Sequence, residues 1–177
     1  MRLTVVVVIL SSLLSGCGLL RGGAVSTNAP TAMTVSSTAF VGNALPERYT
    51  CHGTKVTSPP ITWAGAPANT KSFALVVDDA SAPITPYIYW IVFDISPATS
   101  SIPQGQIPSG AREALSSSGV AAYDPPCPSG RSHSYRFTVY ALDKTLNLPT
   151  GTSLSTATQA IAAATIGRGR MPVHVNS

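Results

Sequence analysis

Nine consecutive residues, Tyr87-Ile88-Tyr89-Trp90-Ile91-Val92-Phe93-Asp94-Ile95, carry a single charge among them. A segment this apolar and aromatic has no face to give to water, so it predicts a central strand covered on both sides. Two further runs suit the same sheet. Ser72-Phe73-Ala74-Leu75-Val76-Val77 is rich in β-formers and stops at Asp78-Asp79. Tyr135 to Leu142 shows partial alternation, with Tyr135, Phe137 and Val139 on one face and Arg136 and Thr138 on the other. Between the runs lie Pro-rich connections at Ser58-Pro59-Pro60, Pro83 to Pro86, Ile107 to Gly110 and Asp124 to Pro128. One helix is expected, Ser155 to Ile166, Ala-rich, capped by Ser153 or Ser155 and ending at Gly167. Charged residues make up only 10% of the chain, against ~25% in an ordinary soluble domain, which excludes a disordered tail, a coiled coil or a long solvated helix. No internal repeat is visible. The pattern predicts a mainly β domain, a β-sandwich with one or two short helices near the C-terminus.

The N-terminus reads differently. Arg2 precedes the apolar run Leu3 to Leu10, followed by Ser11-Ser12-Leu13-Leu14-Ser15-Gly16-Cys17. A basic start, a short apolar stretch and small residues before a cut form a secretory signal, too short for an ordinary membrane span. Leu14-Ser15-Gly16-Cys17 resembles the bacterial lipobox, in which the Cys thiol takes a diacylglycerol and cleavage falls just before it. The plain alternative is an ordinary signal with an incidental Cys. On the lipobox reading residues 1–16 are removed, residues 17–31 form a flexible tether, and residues 32–177 form the domain. The membrane is then a partner through Cys17, and the protein faces outward from the cytoplasmic membrane of a bacterial envelope.

The net charge of +4 reflects scarce acids, 7 against 11 basic residues, more than a built cationic surface. The basic residues are scattered without a stripe or aromatic interleaving, so nucleic acid is not an expected partner.

Candidate chemistry sits at strand ends, where loops present functional groups on a rigid scaffold. Asp78-Asp79 end one strand, and His133 and Tyr135 begin another. Cys127 lies in the Pro-rich loop before His133, and Cys51 lies beside His52. The bland reading of the two Asp is an Asx turn capping loop amides. That of His133 is an imidazole satisfied by a backbone carbonyl, against a ligand or catalytic role. A hydrolase built on Asp79, His133 and a Ser lacks a Gly-x-Ser-x-Gly elbow or an evident oxyanion-hole motif. A zinc site is not expected either, because His52, His133, His174 and the Cys residues show no paired ligand spacing.

Three stretches carry a resemblance. They are Tyr49-Thr50-Cys51-His52-Gly53 through Trp63, Lys71 through Asp79-Ala80-Ser81-Ala82-Pro83, and Tyr123-Asp124-Pro125-Pro126-Cys127-Pro128 through His133-Ser134-Tyr135-Arg136-Phe137. In order and spacing they are similar to the motifs of the phosphatidylethanolamine-binding protein family, in particular its bacterial Raf-kinase-inhibitor-like branch, over roughly residues 35 to 170. The resemblance implies a Greek-key β-sandwich with a small anion-binding pocket at one end. It places the pocket at Asp79, Pro126, His133 and Tyr135, with Tyr89 where the family usually has a His before Trp. An imidazole, phenols and loop N–H groups suit a phosphate or carboxylate. The departures are Tyr89, Ala80, Ser81, Ser134 and Pro125. A phenol does not become cationic, and Pro125 removes a backbone donor from the loop.

The function this implies is non-enzymatic, without cofactor or metal: a lipid-anchored binding protein for a small anion or phospholipid headgroup. Relatives known as kinase-pathway or protease inhibitors offer a protein-interaction module as the alternative, and the departures offer a passive scaffold. The resemblance also puts Cys51 and Cys127 at the pocket end. With Cys17 lipidated in an oxidising compartment, two thiols remain, and a Cys51–Cys127 disulfide is expected, two buried free thiols being the alternative.

Overall fold

The computed structural model describes residues 25, 27–82, 85–128 and 132–175. Cys17 and the signal lie outside the described residues. Eight strands form: β1 (Thr31–Ser36), β2 (Ile61–Ala64), β3 (Ser72–Asp79), β4 (Tyr87–Ile95), β5 (Ser101–Ile102), β6 (Arg112–Glu113), β7 (His133–Leu142) and β8 (Thr165–Val175). Among the described residues one α-helix, α1 (Leu154–Ala164), precedes β8, and one 3-10 turn spans Glu47–Tyr49. The second short helix thus lies in the N-terminal half, not near the C-terminus. No helix among the described residues is long and apolar enough to cross a membrane.

The strands are hydrogen-bonded in the order β5-β2-β1-β8-β7-β3-β4-β6. All neighbours pair antiparallel except β1 and β8, which run parallel. The sheet curls back on itself. Trp63 of β2 packs edge-on against Phe73 of β3, ring centroids 5.4 Å apart, although three strands separate them in the ladder. The interior of this curl holds Met33, Ile61, Trp63, Leu75, Val77, Trp90, Val92, Tyr135, Phe137 and Val139 in one cluster. The outer face of β3, β4 and β7 holds Ala74, Val76, Ile91, Phe93, Tyr140 and Leu142, covered by Ala157, Ile161 and Ala164 of α1. Both faces of the central strands are therefore buried, as the unbroken apolar runs require, and every residue of β3 is buried.

An 11-residue helix is marginal alone and takes its stability from this packing; burying one Ile-sized side chain is worth ~1.5–3 kcal/mol. The Ser153 side chain accepts from the Thr156 amide, fixing the helix start as expected. The helix ends at Ala164 rather than near Gly167, because Thr165 is already extended (φ −72°, ψ 124°) and opens β8. β8 was not expected from its sequence. Its residues Gly167, Gly169, Met171 and Val173 are buried in strict alternation, and Gly169 is required, since a Cβ there would lie 2.5 Å from the Met33 carbonyl oxygen of β1.

Two register shifts interrupt the pairing of β3 with β4, and the one between Val77 and Asp78 lies next to Asp79. Val77 pairs with Trp90 and Asp78 with Ile88, leaving Tyr89 as the extra residue of a β-bulge. Ile88 therefore packs in the outer cluster, while Tyr89 and Trp90 both turn to the inner one. The second bulge falls between Ile95 and Val92 and contains Asp94 (φ 56°). Asp94 accepts from the Leu146 and Asn147 amides and meets Arg112 at 3.6 Å.

Candidate anion site at the end of the sheet

Adjacent residues of a strand point to opposite faces, and this separates the two neighbouring carboxylates at the end of β3. Asp78 lies opposite Arg136 of β7 and forms a two-pronged ion pair with it: Arg136 Nε donates to Oδ1 at 3.0 Å and its Nη2 to Oδ2. The Asp78 carboxylate pushes the Arg136 pKa up, so the guanidinium is held charged. Asp78 caps no loop amide among the described residues.

Asp79 faces the inner side, directly opposite Tyr135. Its Oδ1 accepts from the Ser81 amide at 2.7 Å, the Asx turn weighed as the bland reading. Its Oδ2 lies 2.9 Å from His133 Nδ1. Asp79 therefore caps the turn and meets the His133 ring at the same time. His133 is satisfied by this carboxylate and not by a backbone carbonyl, and its Nε2 has no hydrogen-bond partner among the described residues. The ring keeps a quarter of its side-chain surface exposed.

His133 and Tyr135, two residues apart on one strand, present parallel rings with centroids 5.8 Å apart. Tyr89 meets Tyr135 edge-on at 5.6 Å. The bulge is what aims Tyr89 here. It leaves the Tyr89 carbonyl outside the β3 ladder, where the Asp124 amide donates to it at 3.0 Å. That bond lays the Tyr123–Cys127 segment along the site. Asp79, Tyr89, His133 and Tyr135 thus come together from three segments of the chain.

Pro126 is held differently. It is buried, and its carbonyl accepts from the Cys51 amide at 3.0 Å, tying the Pro-rich loop to the first motif. Cys51 and Cys127 form a disulfide beside this bond, with Cα atoms 5.1 Å apart. His52 Nε2 adds a contact to the Pro128 carbonyl at 3.3 Å. The loop amides fare worse than the resemblance implied: Asp124 is committed to Tyr89, and Pro125 and Pro126 have no N–H to give.

Two phenols, Tyr89 and Tyr135, stand at this end. The Tyr135 hydroxyl is buried and has no hydrogen-bond partner among the described residues. Burial, then the Asp79 charge, push its pKa up to about 12, against a smaller downward pull from the Tyr89 phenol, which stands near but outside hydrogen-bond geometry. Burial, then Tyr135 and Asp79, also raise the Tyr89 pKa well above its ordinary value. Both phenols therefore remain protonated donors at any physiological pH. A buried hydroxyl left unpaired costs ~1–3 kcal/mol.

Sequence reasoning missed Ser81 as a working residue, counting it only as a lost carboxylate. Its Oγ accepts from the Ser134 amide at 2.9 Å, and the Ala80 amide donates to the Ser134 carbonyl at 2.8 Å, so the β3 and β7 ends are laced together around the Asp79–His133 pair. A Ser two residues after an Asp is a turn signal that could have found it. The cysteine pair with His52 is the one group among the described residues whose ligand atoms lie close enough for a metal, within 4.8 Å, but its sulfurs are spent in the disulfide.

Comparisons with known proteins bear on the family and the fold. The family model described as phosphatidylethanolamine-binding protein matches residues 35–176. A UPF0098 protein of Methanothermobacter thermautotrophicus is 35% identical over 132 residues, covering 72% of this chain and 87% of its own. LppC of Mycobacterium tuberculosis, whose name describes a lipoprotein, is 40% identical over 151 residues, covering 82% and 74%. Among solved structures, the phosphatidylethanolamine-binding protein homologue CT736 of Chlamydia trachomatis superposes with a TM-score of 0.73 at 31% identity, covering 83% of this chain and 99% of that one. YbcL of E. coli, described as a member of the mammalian family, gives 0.75 at 26% identity with the same coverage. With four-fifths of its length matched by the family model and the fold shared with solved members, the chain belongs to the phosphatidylethanolamine-binding protein family.

Proposed function

We propose that this protein is a non-enzymatic lipoprotein of the bacterial envelope that binds a small anion, a phosphate or a phosphorylated headgroup, at the end of its sheet. The observation that carries the reading is the Tyr135 hydroxyl, buried and without a partner among the described residues, beside an imidazole whose Nδ1 is held by Asp79. With Nδ1 engaged, Nε2 is the free edge of His133. Protonated, it gives the anion one charged donor, and the Asp79–imidazolium pair is neutral overall, so the carboxylate does not repel the ligand. The Tyr135 and Tyr89 phenols add neutral donors. Among the described residues no nucleophile with an activating base stands at this end, which supports binding over catalysis. The reading also takes the curled ladder as the Greek-key sandwich of the family, turning at β1, where pairing changes from parallel to antiparallel.

The test is calorimetric titration with inorganic phosphate. Saturable binding is expected, weakened at least about tenfold by His133→Ala, which removes a charge-assisted donor. Tyr135→Phe is expected to weaken binding too while leaving the unliganded protein as stable as before or more so, because it deletes an unpaired hydroxyl. Binding unaffected by both substitutions would reject the site.

The anchoring half of the proposal rests on the lipobox-like Leu14-Ser15-Gly16-Cys17 and on the name of the LppC relative. Cys17→Ala is expected to move the protein from the membrane fraction to an unprocessed or soluble form. Normal cleavage with unchanged membrane partition would refute it.

A further inference from the structure

A cavity of about 340 Å³ opens elsewhere on the molecule, lined in part by Val56, Trp90, Gln106, Ile107, Glu113 and Tyr123. None of Asp79, Tyr89, Pro126, His133 and Tyr135 lines it. Its size falls within the range of small-ligand sites. Its chemistry is the reverse of the site at the sheet end.

Glu113 supplies the charge. β6 pairs with β4, and its two residues point to opposite sides: Arg112 reaches Asp94 and the Leu148 carbonyl, while Glu113 turns to Trp90. The Trp90 indole donates to Glu113 Oε1 at 2.7 Å. That bond uses one oxygen of a carboxylate. Oε2 accepts no hydrogen bond from the described residues, and Glu113 is half-buried and lines the open cavity. No Lys, Arg or His lines the cavity, and Glu113 forms no ion pair among the described residues. The other carboxylates of the central sheet differ: Asp78 meets Arg136, Asp79 meets His133 and Asp94 meets Arg112. A chain with a net charge of +4 thus leaves the half-buried Glu113 carboxylate without a cationic partner among the described residues, in a cavity.

The remaining wall suits a cation that is itself partly apolar. Trp90 and Tyr123 pack edge to face, centroids 5.4 Å apart, and both border the space. Val56 and Ile107 stand exposed at its rim. Aromatic rings beside an unpaired carboxylate attract alkylammonium groups, whose charge is spread over methylenes or methyls, better than a strongly hydrated metal ion. An anion is repelled, and a neutral ligand leaves the charge of Glu113 unanswered.

We propose that this cavity is a second binding site, for a small organic ammonium ion held by Glu113 against Trp90 and Tyr123. It stands independently of the anion site. The probe is choline, followed through the indole N–H resonance of Trp90, which reports on the Glu113 bond directly. Its uncharged carbon isostere 3,3-dimethyl-1-butanol and equimolar sodium chloride serve as controls. Choline is expected to shift the resonance saturably, with the isostere binding at least about tenfold weaker. Glu113→Gln keeps an oxygen for the indole to donate to and removes only the charge. It is expected to weaken choline about tenfold or more while leaving phosphate binding unchanged. His133→Ala is expected to leave choline binding as it was. No saturable shift, equal binding of the isostere, or full choline affinity in Glu113→Gln would each overturn the proposal.

Discussion

Removing the Cys51–Cys127 bridge, by reduction or by replacing both residues with alanine, is expected to lower the unfolding free energy by on the order of 4 kcal/mol. The two residues are 76 apart in sequence, and cross-linking a loop of that length removes a large share of the unfolded chain's freedom in the chain-entropy model. A Cα separation of 5.1 Å lies inside the normal range, so the native chain need not distort to make the bond. Few other contacts do the same work: the Cys51 amide to the Pro126 carbonyl, His52 to the Pro128 carbonyl, and the Tyr123 hydroxyl donating to the Tyr49 carbonyl at 2.7 Å. Two of the three lie within two residues of the bridge and are expected to loosen with it. Against a total of ~5–15 kcal/mol for a domain, the loss is large. Urea denaturation with and without a dithiol reductant measures it. A change under about 1 kcal/mol would show that the loop pairing stands without the bridge.

Parts of the fold could be read from the sequence because one signal dominated locally. β4 begins and ends where its apolar run does, at Tyr87 and Ile95, since nothing polar interrupts it. Tyr135, Phe137 and Val139 share the inner face because β7 keeps a period of two there. The same unbroken hydrophobicity concealed the bulges. In Ile88-Tyr89-Trp90-Ile91 every position is apolar or aromatic, so no alternation remains to reveal that the faces exchange at Tyr89. β8 hid for the opposite reason. Its inward positions are Gly167 and Gly169 before Met171 and Val173, and its outward ones include Arg168, Arg170 and Pro172. Glycine reads as a breaker until the close approach of Met33 is known. At the site, residue types alone left Asp78 and Asp79 equivalent, since a strand buried throughout gives no clue to which side each one takes. The resemblance chose Asp79, and pairing with β7 explains the choice. Glu113 carried no signal at all: its partners Trp90 and Gly151 are reached only through the tertiary fold.

The two neighbouring carboxylates should part company when each is removed. Asp78→Ala is expected to cost about 3 kcal/mol or more in stability, because it leaves the Arg136 guanidinium charged and largely buried with no counter-ion. Asp78 and Arg136 expose only 10% and 24% of their side chains, so solvent does little to screen the orphaned charge. The cost belongs to the unpaired ion more than to the pair itself. Replacing both partners, in Asp78→Ala with Arg136→Met, should therefore recover much of the loss, which a simple count of broken bonds would not give. Asp79→Asn follows another course. The amide oxygen still accepts from the Ser81 N–H, so the turn survives and stability should change by less than about 1 kcal/mol. What it removes is the carboxylate that holds His133 Nδ1, and phosphate binding should weaken while the fold stands. Denaturant midpoints and phosphate titrations on the same variants separate the two roles. If Asp79→Asn unfolds the protein as readily as Asp78→Ala, then the Asp79–His133 pair is a structural clasp, and the anion site loses its foundation.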